Sequence, residues 1–182
     1  RKIWLFGGLG TGREGSGAGL AECLASELNG KSRGTAYSVE EFTSPVFNSL
    51  TELKLLQKLL MENEEKPDMI VFYDGANDSE YLCRFGVPDS HCRFEELKSL
   101  VEAHGLMAPL KAYYAASYFR RLLLNSRNLL APLDDKLASE FADRIETRYD
   151  HAYASAADQD IDFIVFWQPT SWIEKAPENA NV

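Results

Sequence analysis

The stretch Met69-Ile70-Val71-Phe72-Tyr73 is apolar at every position and runs directly into Asp74-Gly75-Ala76-Asn77-Asp78. A strand with one wet face alternates apolar and polar residues, whereas a continuous apolar run needs cover on both faces. Further short, mostly apolar runs occur at Lys2–Phe6, Ala36–Val39 and Asp162–Trp167. Together they predict a parallel sheet buried between helices.

Helical patterns fill the intervals. Gly19–Leu28 sets Leu20, Cys23, Leu24 and Leu28 at spacings of three and four, so Cys23 is expected in the core, and Asn29-Gly30 is a stop signal. Ser49–Met61 carries Leu50, Leu53, Leu56, Leu59 and Leu60, with Ser49 and Glu52 in capping-box spacing. Leu137, Phe141, Ile145 and Tyr149 recur every four residues before the last strand. Strand–helix–strand alternation of this kind gives a doubly wound α/β fold. With 182 residues and 45% hydrophobic content, a single domain over 1–182 is expected.

From Ser79 to Leu130 the pattern is helical without strands, which predicts an inserted helical layer at about 80–130. Phe94–His104 is one amphipathic piece. Leu110–Asn125 is another, holding Tyr113, Tyr114, Tyr118, Phe119 and Leu122–Leu124, with Arg120, Arg121 and Arg127 nearby. Two readings stay open: a layer covering one sheet face, or a lid or protein-partner surface, since aromatics among arginines suit an interface. The tail from Thr170 to Val182 is polar and irregular.

Charge narrows the partners. With 19 basic against 28 acidic residues the net charge is -9, which phosphate backbones repel, so nucleic-acid binding is disfavoured. There is no polybasic cluster for an anionic membrane surface, and no apolar run near the ~18 residues of a membrane span. The chain opens at Arg1 straight into a strand pattern, without a signal-peptide layout, which leaves the compartment open. Of the three cysteines, Cys83 and Cys92 flank a turn-rich loop and could be bridged in an oxidising compartment. A zinc site from Cys83, His91 and Cys92 is disfavoured, because adjacent residues chelate poorly and a fourth ligand is missing. No cofactor or metal is called for.

The chemistry concentrates where the strand meets Gly75-Ala76-Asn77-Asp78, at the carboxyl end where open α/β sheets bind ligands. Gly75 can take a backbone bend, Asn77 can aim its amide into the crevice as an oxyanion donor, and Asp78 can accept backbone hydrogen bonds. Gly, Asn and Asp are also common turn residues, so a plain strand-to-loop turn remains the competing account.

Phe72-Tyr73-Asp74-Gly75-Ala76-Asn77-Asp78 resembles the third conserved block of the SGNH (GDSL-type) hydrolases, in the branch reading F-Y-D-G-x-N-D. Ile3-Trp4-Leu5-Phe6-Gly7-Gly8 resembles that branch's first strand, which continues Phe-Gly-Gly-Ser-Thr-Thr. Val39 to Leu53 resembles its second block, V-x-N-F-G-x-x-G-Y-x-S-x-Q-E-L, and Asp162–Pro169 its later strand ending in Gln-Pro. The resemblance spans about Lys2 to Pro169 and implies a three-layer α/β/α, flavodoxin-like fold.

The resemblance also implies a serine nucleophile after the first strand. Its oxyanion donors would come from the serine's own backbone, a block-two glycine and the block-three asparagine, with a late Asp-x-x-His supplying the base. The serine position falls on Leu9, the block-two glycines on Thr43 and Val46, and the usual asparagine of that block on Glu41. Only Gly75, Asn77 and Asp78 match. No Asp-x-x-His occurs: Pro88, Val101 and Arg148 stand three residues before His91, His104 and His151. The family places that motif beyond the Gln-Pro strand, a region absent from this chain. Thr11 or Ser16 could replace the nucleophile in a shifted loop, but a hydroxyl needs a base within reach and none is identifiable.

The expectation is therefore a catalytically inactive relative that binds a ligand or a partner in a larger assembly. An active serine-type esterase or acetyl hydrolase with a rewired loop and a partial chain is the alternative. A third reading is a nucleotide binder, because Gly10-Thr11-Gly12-Arg13-Glu14-Gly15 matches G-x-G-x-x-G between a strand and a helix, with Glu40 and Glu41 near a ribose-binding position. Against it, Gly7-Gly8-Leu9 are surplus and the Gly-x-Asn-Asp block is left unexplained.

Overall fold

The computed structural model describes residues 1–8, 19–91, 93–94, 97–98 and 134–168. Its chain order is β1 (Lys2–Gly7), α1 (Leu20–Lys31), β2 (Ser38–Thr43), α2 (Ser49–Glu62), β3 (Met69–Asp74), α3 (Ala76–Phe85), α4 (Asp135–Ala157) and β4 (Asp162–Trp167). All three strand pairings are parallel, and the sheet order is β2-β1-β3-β4. That order, with helices on both faces, is that of flavodoxin-like doubly wound sheets.

Alternation along the strands sorts side chains between the two faces. Trp4 and Phe6 of β1 and Ile70 and Phe72 of β3 pack with Leu53, Leu56 and Leu60 of α2 and with Ala152 and Ala156 of α4. Ile3, Leu5 and Val71 point the other way, against Leu20, Ala21 and Leu28 of α1. The first face carries an aromatic row across all four strands. Phe42, Phe6, Phe72 and Phe163 follow one another at ring-centroid separations of 5.2, 5.0 and 5.3 Å. The fully buried Phe6 and Phe72 contribute roughly 1.5–3 kcal/mol each by burial, the partly buried Phe42 and Phe163 less, and each ring pair about 0.5–1.5 kcal/mol more. A smaller cluster of Leu82, Phe141 and Ile145 joins α3 to α4.

The structure corrects several sequence expectations. The second strand is Ser38–Thr43, not Ala36–Val39, and it runs through Glu40 and Glu41. An edge strand of the sheet can hold charges outward where a central one cannot. Helix α1 continues past Asn29-Gly30 to Lys31, because the Asn29 side chain is occupied by both backbone polar groups of Tyr37 and terminates nothing. Cys23 is exposed: it lies about 200° around the helix from the buried Ala21.

The capping box fails instructively. The N-cap of α2 is Asn48, whose Oδ1 accepts from the Thr51 amide at 3.1 Å and the Thr51 hydroxyl at 2.8 Å. Ser49 and Glu52 turn inward instead and are fully buried. Asn48 also donates from Nδ2 to the Ser90 carbonyl at 3.0 Å in a buried position. Asn48→Ala removes the cap and strands that carbonyl, so unfolding in urea is expected to show a loss of about 2–3 kcal/mol with an unchanged slope.

The helices expected between Ser79 and Leu130 are described only in part. Helix α3 ends at Gly86, a left-handed C-cap (φ 64°) whose amide bonds the Leu82 carbonyl at 2.8 Å. The segment around Tyr113, Tyr114, Tyr118 and Phe119 lies outside the described residues.

Candidate functional site

The parallel register sets Gly7, Thr43 and Tyr73 side by side at the carboxyl ends of β1, β2 and β3. From there β3 turns abruptly into α3 through Gly75, whose φ of 113° lies in the left-handed region. A Cβ at Gly75 would stand 2.6 Å from the indole of Trp167, at the end of β4. Glycine is thus required twice over, once by the backbone and once by the neighbour.

The turn delivers Asn77 into the first turn of α3, where it is buried. Its Nδ2 donates to the Pro45 carbonyl at 3.1 Å and to the Phe47 carbonyl, both in the β2–α2 connection. Among the described residues Oδ1 has no partner. Gly8 closes in from β1: a Cβ there would fall 2.5 Å from Asn77 Nδ2 and 2.8 Å from the Phe47 oxygen. Gly8, Phe47, Tyr73, Gly75, Asn77 and Gln168 line a shallow dent, partly open to solvent, with no enclosed room for a water molecule.

Asp78 points the other way, into the interior. Its Oδ2 accepts from the Ser49 amide at 3.0 Å, and its Oδ1 from the Ser49 hydroxyl at 2.7 Å and from Arg148 Nη1 at 3.2 Å. Arg148, on α4, is itself buried. Its Nη1 also donates to Ser49 Oγ at 2.8 Å, while Nη2 reaches the Pro88 carbonyl at 3.3 Å and pairs with Asp89. One guanidinium therefore ties α2, α3, α4 and the loop after α3 together. Burial raises the Asp78 carboxyl above its usual range, with the Ser49 hydrogen bonds and the Arg148 charge pulling the other way.

Asp74, the last residue of β3, lies beside this node and accepts from the Tyr149 hydroxyl at 3.3 Å. Burial pushes its carboxyl up to about 7, aided by the Asp78 charge and opposed by Glu52, Tyr149 and Arg148. Glu52 is pushed well above the ordinary carboxylate range, first by burial and then by the Asp74 charge. Burial and the three surrounding carboxyls likewise raise the Tyr149 hydroxyl.

Of the residues singled out in the sequence, Gly75, Asn77 and Asp78 thus stand together, with Asn77 and Asp78 serving opposite sides of the turn. Thr43 sits at the end of β2, its hydroxyl donating to Glu41 Oε1 at 2.6 Å. Val46 is exposed. Glu40 accepts from Trp4 Nε1 at 3.1 Å and pairs with Lys2 at 3.1 Å. Leu9, Gly10, Thr11, Gly12, Gly15, Ser16 and Cys92 lie outside the described residues, whereas Cys83 is buried. Among the described residues no three His, Cys, Asp or Glu side chains converge as a metal site.

Sequence reasoning gave Arg148 and Asp74 no role of their own and assigned Glu52 to a helix cap. A signal existed for the first: Arg148 falls three residues after Ile145 and seven after Phe141, inside the apolar stripe of its helix. A charge on an apolar stripe needs a buried counter-charge.

No family model matches the chain, and no curated protein does. Among solved structures it is similar to a mutant of an esterase, AlinE4, with a TM-score of 0.37 and 16% identity, covering 90% of this chain and 74% of that one. A likeness this loose carries no inference about chemistry.

Proposed function

We propose that this chain is an SGNH/GDSL-hydrolase-like domain without ester-hydrolysing activity, serving as a binding or structural subunit of a larger assembly. The observation that carries this reading is the commitment of Asn77. An oxyanion donor needs N–H groups aimed at the place where negative charge will develop. Here the Asn77 amide donates to the Pro45 and Phe47 carbonyls and so fastens the β2–α2 connection to α3. With Leu9 at the nucleophile position and Thr43 and Val46 at the block-two glycines, no hydroxyl stands where the family's resemblance would put one. In this reading residues 1–182 form one domain, and the aromatic segment with Tyr113, Tyr114, Tyr118 and Phe119 is the partner-facing part.

The test is direct. The purified chain should hydrolyse p-nitrophenyl acetate no faster than buffer and take no label from a fluorophosphonate probe. Stoichiometric labelling of Thr11 or Ser16 overturns the proposal in favour of an active esterase with a rewired loop. The nucleotide-binding reading is tested alongside by thermal-shift titration with NAD, NADP and ATP, where no stabilisation at millimolar ligand is expected.

A further inference from the structure

Glu52 on α2 and Asp74 at the end of β3 are both buried, α2 packing on the sheet face that carries Ile70 and Phe72, and among the described residues neither carboxyl forms an ion pair. Glu52 is 0% exposed, and among the described residues neither of its oxygens has a hydrogen-bond partner. Asp74 accepts from the Tyr149 hydroxyl on α4. The other charged groups facing the pair are Asp78 on α3 and Arg148 on α4. Arg148 is already committed to Asp78, Asp89, Ser49 and the Pro88 carbonyl.

An ionised carboxylate only accepts hydrogen bonds, so two of them side by side cannot satisfy each other. In a poorly hydrated interior they also repel, and one of the two retains its proton. A proton on Glu52 turns it into a donor to Asp74, which gives its unpartnered group a partner.

We propose that Glu52 and Asp74 share a single proton at neutral pH, forming a pH-sensitive latch that fastens α2 to the β3–α3 turn and is released in alkali. The proton stays within the pair, Glu52 as donor and Asp74 as acceptor, and passes to solvent base on release. The sign follows from the direction of the shifts. Both carboxyls bind protons more tightly in the folded chain, chiefly through burial. Unfolded carboxyls release theirs near about pH 4. The stabilisation is therefore complete below about pH 4, falls as pH rises through about 7, where Asp74 ionises, and falls further where Glu52 ionises. Coupled groups of this kind titrate as a pair rather than singly.

Two measurements on the intact chain decide it. Urea unfolding from about pH 5.5 to about pH 8.5 should show the unfolding constant rising up to about tenfold per pH unit for each retained proton. In Glu52→Gln, whose amide still donates to Asp74, this dependence should flatten by about one proton. Infrared difference spectroscopy of the wild type near neutral pH should show the carbonyl stretch of a buried protonated acid, which vanishes on alkaline titration. Equal slopes in wild type and Glu52→Gln, or no such band, overturns the proposal. If Glu52→Gln does not fold, the wild-type band decides alone.

Discussion

Gly75→Ala is expected to lower stability by about 3–5 kcal/mol, a large part of the roughly 5–15 kcal/mol that holds a domain of this size. Two costs add. A side chain at φ 113° sits in a conformation that L residues rarely adopt, worth about 1–3 kcal/mol. The new methyl would also stand 2.6 Å from the Trp167 indole, and displacing a packed ring costs about 1–3 kcal/mol more. Gly34 separates the two contributions. It has φ 93° and nothing within 4 Å of a built Cβ, so Gly34→Ala carries only the backbone cost. Urea unfolding of both variants should place Gly75→Ala well below Gly34→Ala, and the cost of Gly75→Ala measured against Trp167→Ala should fall toward that of Gly34→Ala. Equal losses at the two glycines would show that Trp167 does not press on the turn.

Arg148→Met is expected to cost about 3–5 kcal/mol, because it keeps the side-chain stem but leaves the buried Asp78 carboxylate without its cation. Adding Asp78→Asn should recover part of the loss, since a neutral amide needs no counter-charge. The double-mutant cycle, measured by urea unfolding, reads the coupling between the two residues. Arg148→Lys should not restore full stability. A point-like ammonium cannot reach Ser49, Asp78, Asp89 and the Pro88 carbonyl at once, as the planar fork does. An additive cycle would mean that the pair contributes nothing beyond its separate members.

The sheet was legible in the sequence because its inner strands announce themselves. Met69–Tyr73 must be covered on both faces, and β3 is an interior strand of the sheet. The edge strand β2 starts two residues and ends four residues later than its sequence pattern suggests, since Glu40 and Glu41 look like the end of a strand when edge placement is unknown. The site was legible in part. Gly75 carries its own reason, and Asn77 and Asp78 follow from the turn. What local pattern could not supply was direction. Ser49 and Glu52 fit a capping box as letters, but the Ser49 hydroxyl is claimed by Asp78 from a distant chain segment and the Glu52 side chain is turned into the interior. The same limit applies to Asn77, whose partners are the carbonyls of Pro45 and Phe47, 32 and 30 positions away.

Those separations bear on how the chain folds. The Ser49–Asp78 contact closes over 29 positions, Arg148 to Asp78 over 70 and Arg148 to Ser49 over 99. Closing such long loops is entropically unfavourable until other contacts have drawn the segments together. Hydrophobic collapse of β1, β3 and α2 does not need the guanidinium, yet a wrongly threaded α4 would leave it stranded. The arginine on α4 is thus fully satisfied only in the arrangement that brings α2, α3 and the loop after α3 around it.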